Sequence, residues 1–281
     1  MVYRVRAASR GRGGRVPLAL VTNDDGVDTV GIRTLARVAR DAGLDVVVAA
    51  PDRDASGSGA SVQMAGEGGG FRVTEREWNE PGLETVRAVE AAPAFIVRAA
   101  LWGAFGPPPD LVLSGINHGP NYGRAVLHSG TVGAALTAAT QGVPAAALSM
   151  ETGVETYWDT ARRVATAAVE WLLDVKDAVA FNVNIPNRPW EQVGGLTRAR
   201  LAPVGSVEVT ITEAGAGLMR LQFHDTVVDL QPGTDAAYLA DGMACVTPLR
   251  AVTEADDVST TGLEHLVDRL AAPKARPIGD C

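Results

Sequence analysis

The chain has 281 residues, 46% of them hydrophobic and only 5% aromatic; this is enough apolar material for a large core and excludes a disordered protein. Its formal net charge of −8 excludes general nucleic-acid binding but leaves room for a small phosphate compound held through a metal. No apolar run approaches the roughly 20 residues of a membrane span, and Cys245 and Cys281 form no CxxC pair or disulfide framework, which points to a reducing, cytoplasmic setting.

Residues 1–16, opening "MVYRVRAASRGRGGR", are rich in Arg and Gly and read as a flexible extension outside the chemistry. "VPLALVTNDDG" reads as a buried strand ending in acid residues. "GIRTLARVARDAG" follows with Ile32, Leu35, Ala36, Val38 and Ala39 at helical spacing and Gly43 as its stop. "LDVVVAAP" is a second strand, and the three segments make a βαβ unit. A Gly- and Ser-rich loop, "DRDASGSGASVQMAGEGGG", comes next. "PAFIVRAALWGAF" then reads as a helix, "PPPDLVLSGIN" as a strand, "SGTVGAALTAATQG" as a small-residue helix and "VPAAALSM" as a strand. "YWDTARRVATAAVEWLLDV" completes the helices of this half, and "AVAFNVNIP" is its last strand. Trp102, Trp158 and Trp171 fall at helical spacing among apolar neighbours and read as core or interface anchors.

From about residue 188 the pattern alternates, as in "SVEVTITEAG", "LMRLQFHDTVVDL" and "ACVTPLRAV". The fold expected is α/β: a Rossmann-like open, mostly parallel sheet flanked by helices, with a β-hairpin-rich C-terminal arm. The core spans 17–187, the arm and its return to the core 188–255, and a C-terminal helix and loose tail 256–281. His224 and His265 fall in the hairpin region and tail, where surface roles are expected.

Ligands of an open parallel sheet sit outside the C-terminal ends of its strands. Three such ends carry hard oxygen donors: Asn23, Asp24 and Asp25; Asp52 to Ser58; and Ser114 to Asn117. This set suits Mg²⁺, Mn²⁺ or Ca²⁺ better than Zn²⁺, and a divalent ion would relieve the repulsion between Asp24 and Asp25. Taken alone, Asp-Asp-Gly is also turn and N-cap material. Ser129 and Thr131 open a helix whose free N–H groups make an anion site, although an ordinary N-cap has the same composition.

The blocks "LVTNDDG", "VVVAAPDRDASGSG", "PDLVLSGINHGPNYG" and "SGTVGAALTAATQGVPAAALSM", followed by "FNVNIP" and "TDAAYLADGMACVTPL", resemble in order and spacing the SurE (survival protein E) phosphatases. The resemblance runs from about residue 17 to about 255. It implies a metal-dependent phosphomonoesterase acting on nucleoside 5′- or 3′-monophosphates, assembled as a homodimer or homotetramer through its arm. It also implies Asp24, Asp25, Ser56 and Asn117 as ligands of one divalent ion, Mg²⁺ or Mn²⁺, with Ca²⁺ as a non-productive occupant. Asn121, Ser129, Gly130 and Thr131 would hold the phosphate. Asp24, Asp25 and Asn121 would be catalytic, and His118 and His128 lie where they could touch substrate.

The chain departs from the family's usual pattern around this set. Ala60 stands where a His is common, Ala92 and Phe95 replace polar groups, and Ala125 and His128 stand in a block that usually reads Asp-Val-x-Tyr. These changes support a specialised phosphatase, acting on a modified nucleotide or another biosynthetic phosphomonoester, as the alternative substrate reading. A homologue that binds metal and phosphate without turnover is a second alternative. A dinucleotide-dependent oxidoreductase is excluded, because "TNDDGVDTVG" lacks the G-x-G-x-x-G turn.

Overall fold

The computed structural model describes residues 15–63, 70–203, 207–213, 215, 219–225, 230–250, 252–253 and 261. The chain divides into two compact units, Met1–Ala251 and Val252–Cys281. The extension before residue 15, the helix and tail expected over 256–281 (Thr261 apart) and His265 lie outside the described residues.

The first unit is built on nine strands: β1 (Leu18–Thr22), β2 (Asp45–Pro51), β3 (Val73–Glu77), β4 (Thr85–Val89), β5 (Leu111–His118), β6 (Ala145–Met150), β7 (Ala180–Ile185), β8 (Leu196–Arg198) and a late strand, Ala244–Leu249. A separate antiparallel hairpin pairs β9 (Val207–Glu213) with β10 (Met219–Asp225), so the late strand is β11. Across the large sheet the order is β3-β4-β2-β1-β5-β6-β7-β11-β8. The six strands from β4 to β7 run parallel, and β3 and β11 are antiparallel to β4 and β7. The chain leaves β1 toward β2 on one side and later returns to its other side as β5. That reversal is the topological switch point at which open α/β sheets bind ligands.

Alternation along the strands divides the core. Ala19, Val21, Leu111, Leu113, Phe181 and Val183 face one side, where α1 (Val30–Asp41) and a later helix, Trp158–Leu172, cover them. Leu20, Val112, Ala145 and Ala147 face the other, beneath α2 (Pro93–Leu101) and α3 (Gly130–Thr140). The Trp158–Leu172 helix is α4, and α5 (Asp235–Ala240) precedes β11. Small core residues let helices lie close to the sheet. At Gly31 of α1 a side-chain carbon would stand 1.9 Å from the Ile116 carbonyl oxygen, so only glycine fits.

Of the three tryptophans read as core or interface anchors, Trp158 packs partly buried against the core, and the other two are not core residues. Trp102 and Trp171 are about half exposed (49% and 51%). Trp171 meets Phe181 edge-on at 4.7 Å, and Arg98 lies over Trp102 at 4.8 Å. The buried tryptophan is Trp78, just past β3, with the Arg33 guanidinium 4.3 Å from its ring centre.

Candidate active site

The turn after β1 explains why the two acids stand together. Asn23, fully buried, closes it: its Nδ2 donates to the Gly26 carbonyl and to Thr29 Oγ1, both at 3.0 Å, and its Oδ1 accepts from the Gly26 N–H at 3.2 Å. Gly26 takes φ of +104°, which a side chain would strain. The N-cap of α1 is Thr29. Neither Asp24 nor Asp25 therefore closes this turn or caps α1.

Asp24 is buried against the start of α3. Thr131 Oγ1 donates to its Oδ1, and the Gly130 and Thr131 backbone N–H groups also favour its charge, yet burial outweighs them and holds its carboxyl above the usual range. Asp25 is half-buried and accepts from the His118 N–H at 3.2 Å. Burial first, then repulsion from Asp24 and Asp54, pushes it up to about 6. Among the described residues, no Arg or Lys forms an ion pair with either acid. Nor does any group of three or more His, Cys, Asp or Glu there stand close enough to hold a metal. A cation would draw instead on two carboxylates and on hydroxyl and amide oxygens. Two adjacent, desolvated, uncompensated acids in an all-oxygen environment fit a hard divalent ion.

A pH dependence follows for the metal-free protein. Asp25 rises from 3.8 to about 6 on folding, so its contribution to stability is full below about 3.8 and is lost as pH rises through about 6. In EDTA, Asp25→Asn is expected to melt a few degrees above wild type at pH 7.5, solvent screening limiting the gain. The gap should close by about pH 4. A gap that does not vary with pH, followed by thermal melts, would contradict the assignment.

The other predicted residues surround this pair unevenly. Asn117, near the end of β5, donates from Nδ2 to the Gly119 carbonyl at 2.6 Å. The register of β5 against β6 shifts between Ser114 and Asn117, and pairing resumes with Asn117 opposite Ser149. Ser56 is exposed and its hydroxyl donates to Asp54 Oδ1 at 2.6 Å. Ser129 caps α3 by accepting from the Val132 N–H at 3.1 Å, which leaves its own proton free to donate. Gly130 and Thr131 have Asp24 as their immediate partner, so the anion seated at this helix start is that carboxylate. Asn121 donates from Nδ2 to Ser149 Oγ at 2.8 Å. His118 is exposed, its ring 6.3 Å from that of Trp158. His128 is exposed, and its carbonyl accepts from the Gly59 N–H at 3.1 Å.

Ser58 and Asp54 belong here too; the sequence places both in the Asp52 to Ser58 donor segment but assigns neither a role. Ser58 Oγ is buried with no partner among the described residues, beside Asp24 and Gly130. A cleft of about 450 Å³ opens next to these residues, lined by Arg53, Asp54, Ser58, Gln63, Glu90 and Ala92 among others. Of the departures noted above, Ala92 lines this cleft. Phe95 does not, being buried and edge-on to Phe71 at 5.0 Å, so its change is one of packing. Ala60 and Ala125 are exposed.

A Rossmann-like sheet carrying paired acids at its switch point, with a cleft between the loops after β2 and β4 beside them, defines a class of α/β proteins that act on small polar ligands. The family model "Survival protein SurE" matches residues 19–206, and the chain belongs to that family. It is 38% identical to the 5′-nucleotidase SurE of Nostoc sp. (strain PCC 7120) over 183 residues, 64% of this chain and 68% of that one. It is 33% identical to the 5′/3′-nucleotidase SurE of Proteus mirabilis (strain HI4320) over 256 residues, 89% and 95% of the two chains. The crystal structure of the SurE protein from Aquifex aeolicus superposes with a TM-score of 0.74 at 27% identity, covering 90% of this chain and all of that one.

Proposed function

We propose that the chain is a cytoplasmic, divalent-metal-dependent nucleotidase that hydrolyses nucleoside 5′- or 3′-monophosphates to nucleoside and phosphate. The observation that carries this reading is the Asp24–Asp25 pair: adjacent, desolvated and with no Arg or Lys ion pair among the described residues. Asp24 and Asp25, with Asn117 and a Ser56 hydroxyl released from Asp54, would hold Mg²⁺ or Mn²⁺. Lewis-acid stabilisation of phosphoryl charge is the chemistry such an ion supplies.

The residues around it have separable tasks. Asp24 is fixed by Thr131 and the start of α3 and acts as an anchor. Asp25 is the more accessible acid and is the one placed to accept a proton from attacking water. Ser129 donates its free hydroxyl proton, and Asn121 its second amide N–H, to phosphate oxygens whose charge spreads in the transition state. The 450 Å³ cleft takes the organic part of the ester. The hairpin of β9 and β10 belongs to an arm that assembles two or four copies.

Phosphate release from 5′-AMP, 3′-AMP and p-nitrophenyl phosphate tests this. Release with Mn²⁺ or Mg²⁺, its loss in EDTA and its return on adding metal are expected. No release from any of the three, or release indifferent to EDTA, would overturn it. Ala92 in the cleft wall favours one second reading, a phosphomonoester with a less polar leaving group. A panel of phosphorylated metabolites separates the two by relative kcat/KM.

A further inference from the structure

Two sequence blocks have no task in the site as described, "FNVNIP" and "TDAAYL", and both end beneath one loop. Residues 119–128 run from the end of β5 to the start of α3 and carry Asn121. Asn121 is bonded there entirely by distant side chains. Its N–H donates to Asn184 Oδ1 at 2.9 Å, and its carbonyl accepts from Asn184 Nδ2 at 2.8 Å and Asn182 Nδ2 at 2.6 Å. Two residues on, the Gly123 N–H donates to Asp235 Oδ2 at 2.9 Å. The other oxygen of Asp235 accepts from the Ala202 and Ala236 N–H groups, both at 2.9 Å.

Asn182, Asn184 and Asp235 are at most 1% exposed, and their burial is offset by the backbone groups that they pair, chiefly those of Asn121 and Gly123. Asn182 Oδ1 is buried with no partner among the described residues, and the Asn182 amide donates to the Asn121 carbonyl. No ion pair among the described residues includes Asp235. Buried polar side chains that converge on the backbone of one loop fix its geometry. Misplacement by about 1 Å is enough to cost two orders of magnitude in rate.

We infer that Asn182, Asn184 and Asp235 are positioning residues: they clamp the 119–128 loop from below and so fix where Asn121 meets the phosphate. This rests on the reading of Asn121 as a phosphate-holding group. Asp235 also binds the Ala202 N–H, ahead of the hairpin, so the catalytic loop and the root of the arm share one buried acid.

The test uses the full chain with Mn²⁺ and p-nitrophenyl phosphate, comparing wild type with Asn182→Leu, Asn184→Ala and Asp235→Asn. Each is expected to lower kcat about tenfold, as loss of a supporting partner does, with KM and Mn²⁺ affinity within about threefold of wild type. Asn182→Leu should do so with Tm unchanged or raised, since it removes a half-satisfied buried amide. Hydrogen exchange should quicken over 119–128 and not in β1 or α1. An unchanged kcat, a parallel loss of Mn²⁺ affinity, or exchange accelerated throughout the sheet would overturn the inference. If wild type releases no phosphate, the functional reading fails, and exchange confined or not confined to the loop still decides the clamp.

Discussion

Asp24→Asn is expected to lower phosphate release at least 10²-fold while leaving metal-free stability unchanged or raised. The substitution keeps the shape and removes the charge. Asp24 sits where burial opposes ionisation even though Thr131 and the first N–H groups of α3 favour it, so folding with a charged carboxylate there costs stability. An amide ends that cost. It also ends the negative charge that draws in a divalent ion, while its amide oxygen can still accept from Thr131 and the start of α3. Loss of metal positioning and of transition-state charge stabilisation each reach such factors. Activity falling as stability holds or rises is the signature of a residue kept for function. Asp28→Asn is the control, since Asp28 is exposed four residues further along the same turn region. Rates within threefold of wild type for Asp24→Asn would remove this residue from the site. A Tm that falls in step with activity would make its role structural. Steady-state assays with saturating Mn²⁺, beside thermal melts in EDTA, measure both.

What could be read from the sequence, and what could not, follows from how each element is stabilised. The strands from β1 to β7 that are buried on both faces write themselves as apolar runs, as in the wholly buried LALVT and AAALSM. β3, VTERE, is exposed along its whole length, so no hydrophobic period marks it; it exists because β4 offers it an antiparallel partner. β8 has three residues and α5 six, too few for a period to show. The tryptophans show a related limit: helical spacing says that residues share a face, not that the face is covered. Trp171 shares its helix with buried Val169 and Leu172 and still lies half in solvent.

The site divides the same way. Asp24 and Asp25 are legible because adjacent acids at a strand end are costly without a purpose. The clamp under Asn121 is not, because its bonds span 61, 63 and 112 residues, and nothing local in "FNVNIP" says which loop will lie above it. Ser129, Gly130 and Thr131 were legible as an anion-binding helix start, but the sequence could not say that the anion seated there is the protein's own Asp24.

Gly130→Ala is expected to reduce activity about 10²-fold and to weaken Mn²⁺ binding, although alanine is the better helix former. A side-chain carbon at this position would stand 2.8 Å from Asp24 Oδ2, 2.8 Å from Asp24 Cβ and 2.6 Å from Ser58 Oγ. Ser58 has a rotatable hydroxyl and can give way. Asp24 cannot do so cheaply, because its carboxylate is buried and tied to Thr131, so the methyl group acts on the anchor of the metal site. Gly133 works one turn on by the same logic: a side-chain carbon there would stand 2.3 Å from the Gly59 carbonyl oxygen. The small residues of "SGTVGAA" thus bring α3 down onto the two loops that carry the candidate ligands. Crowding displaces a ligand without altering its charge, so Gly130→Ala should differ from Asp24→Asn in one respect: raised Mn²⁺ should restore part of its activity. Full activity at ordinary Mn²⁺ would mean that Asp24 tolerates the shift and that its position against α3 is not what the chemistry needs.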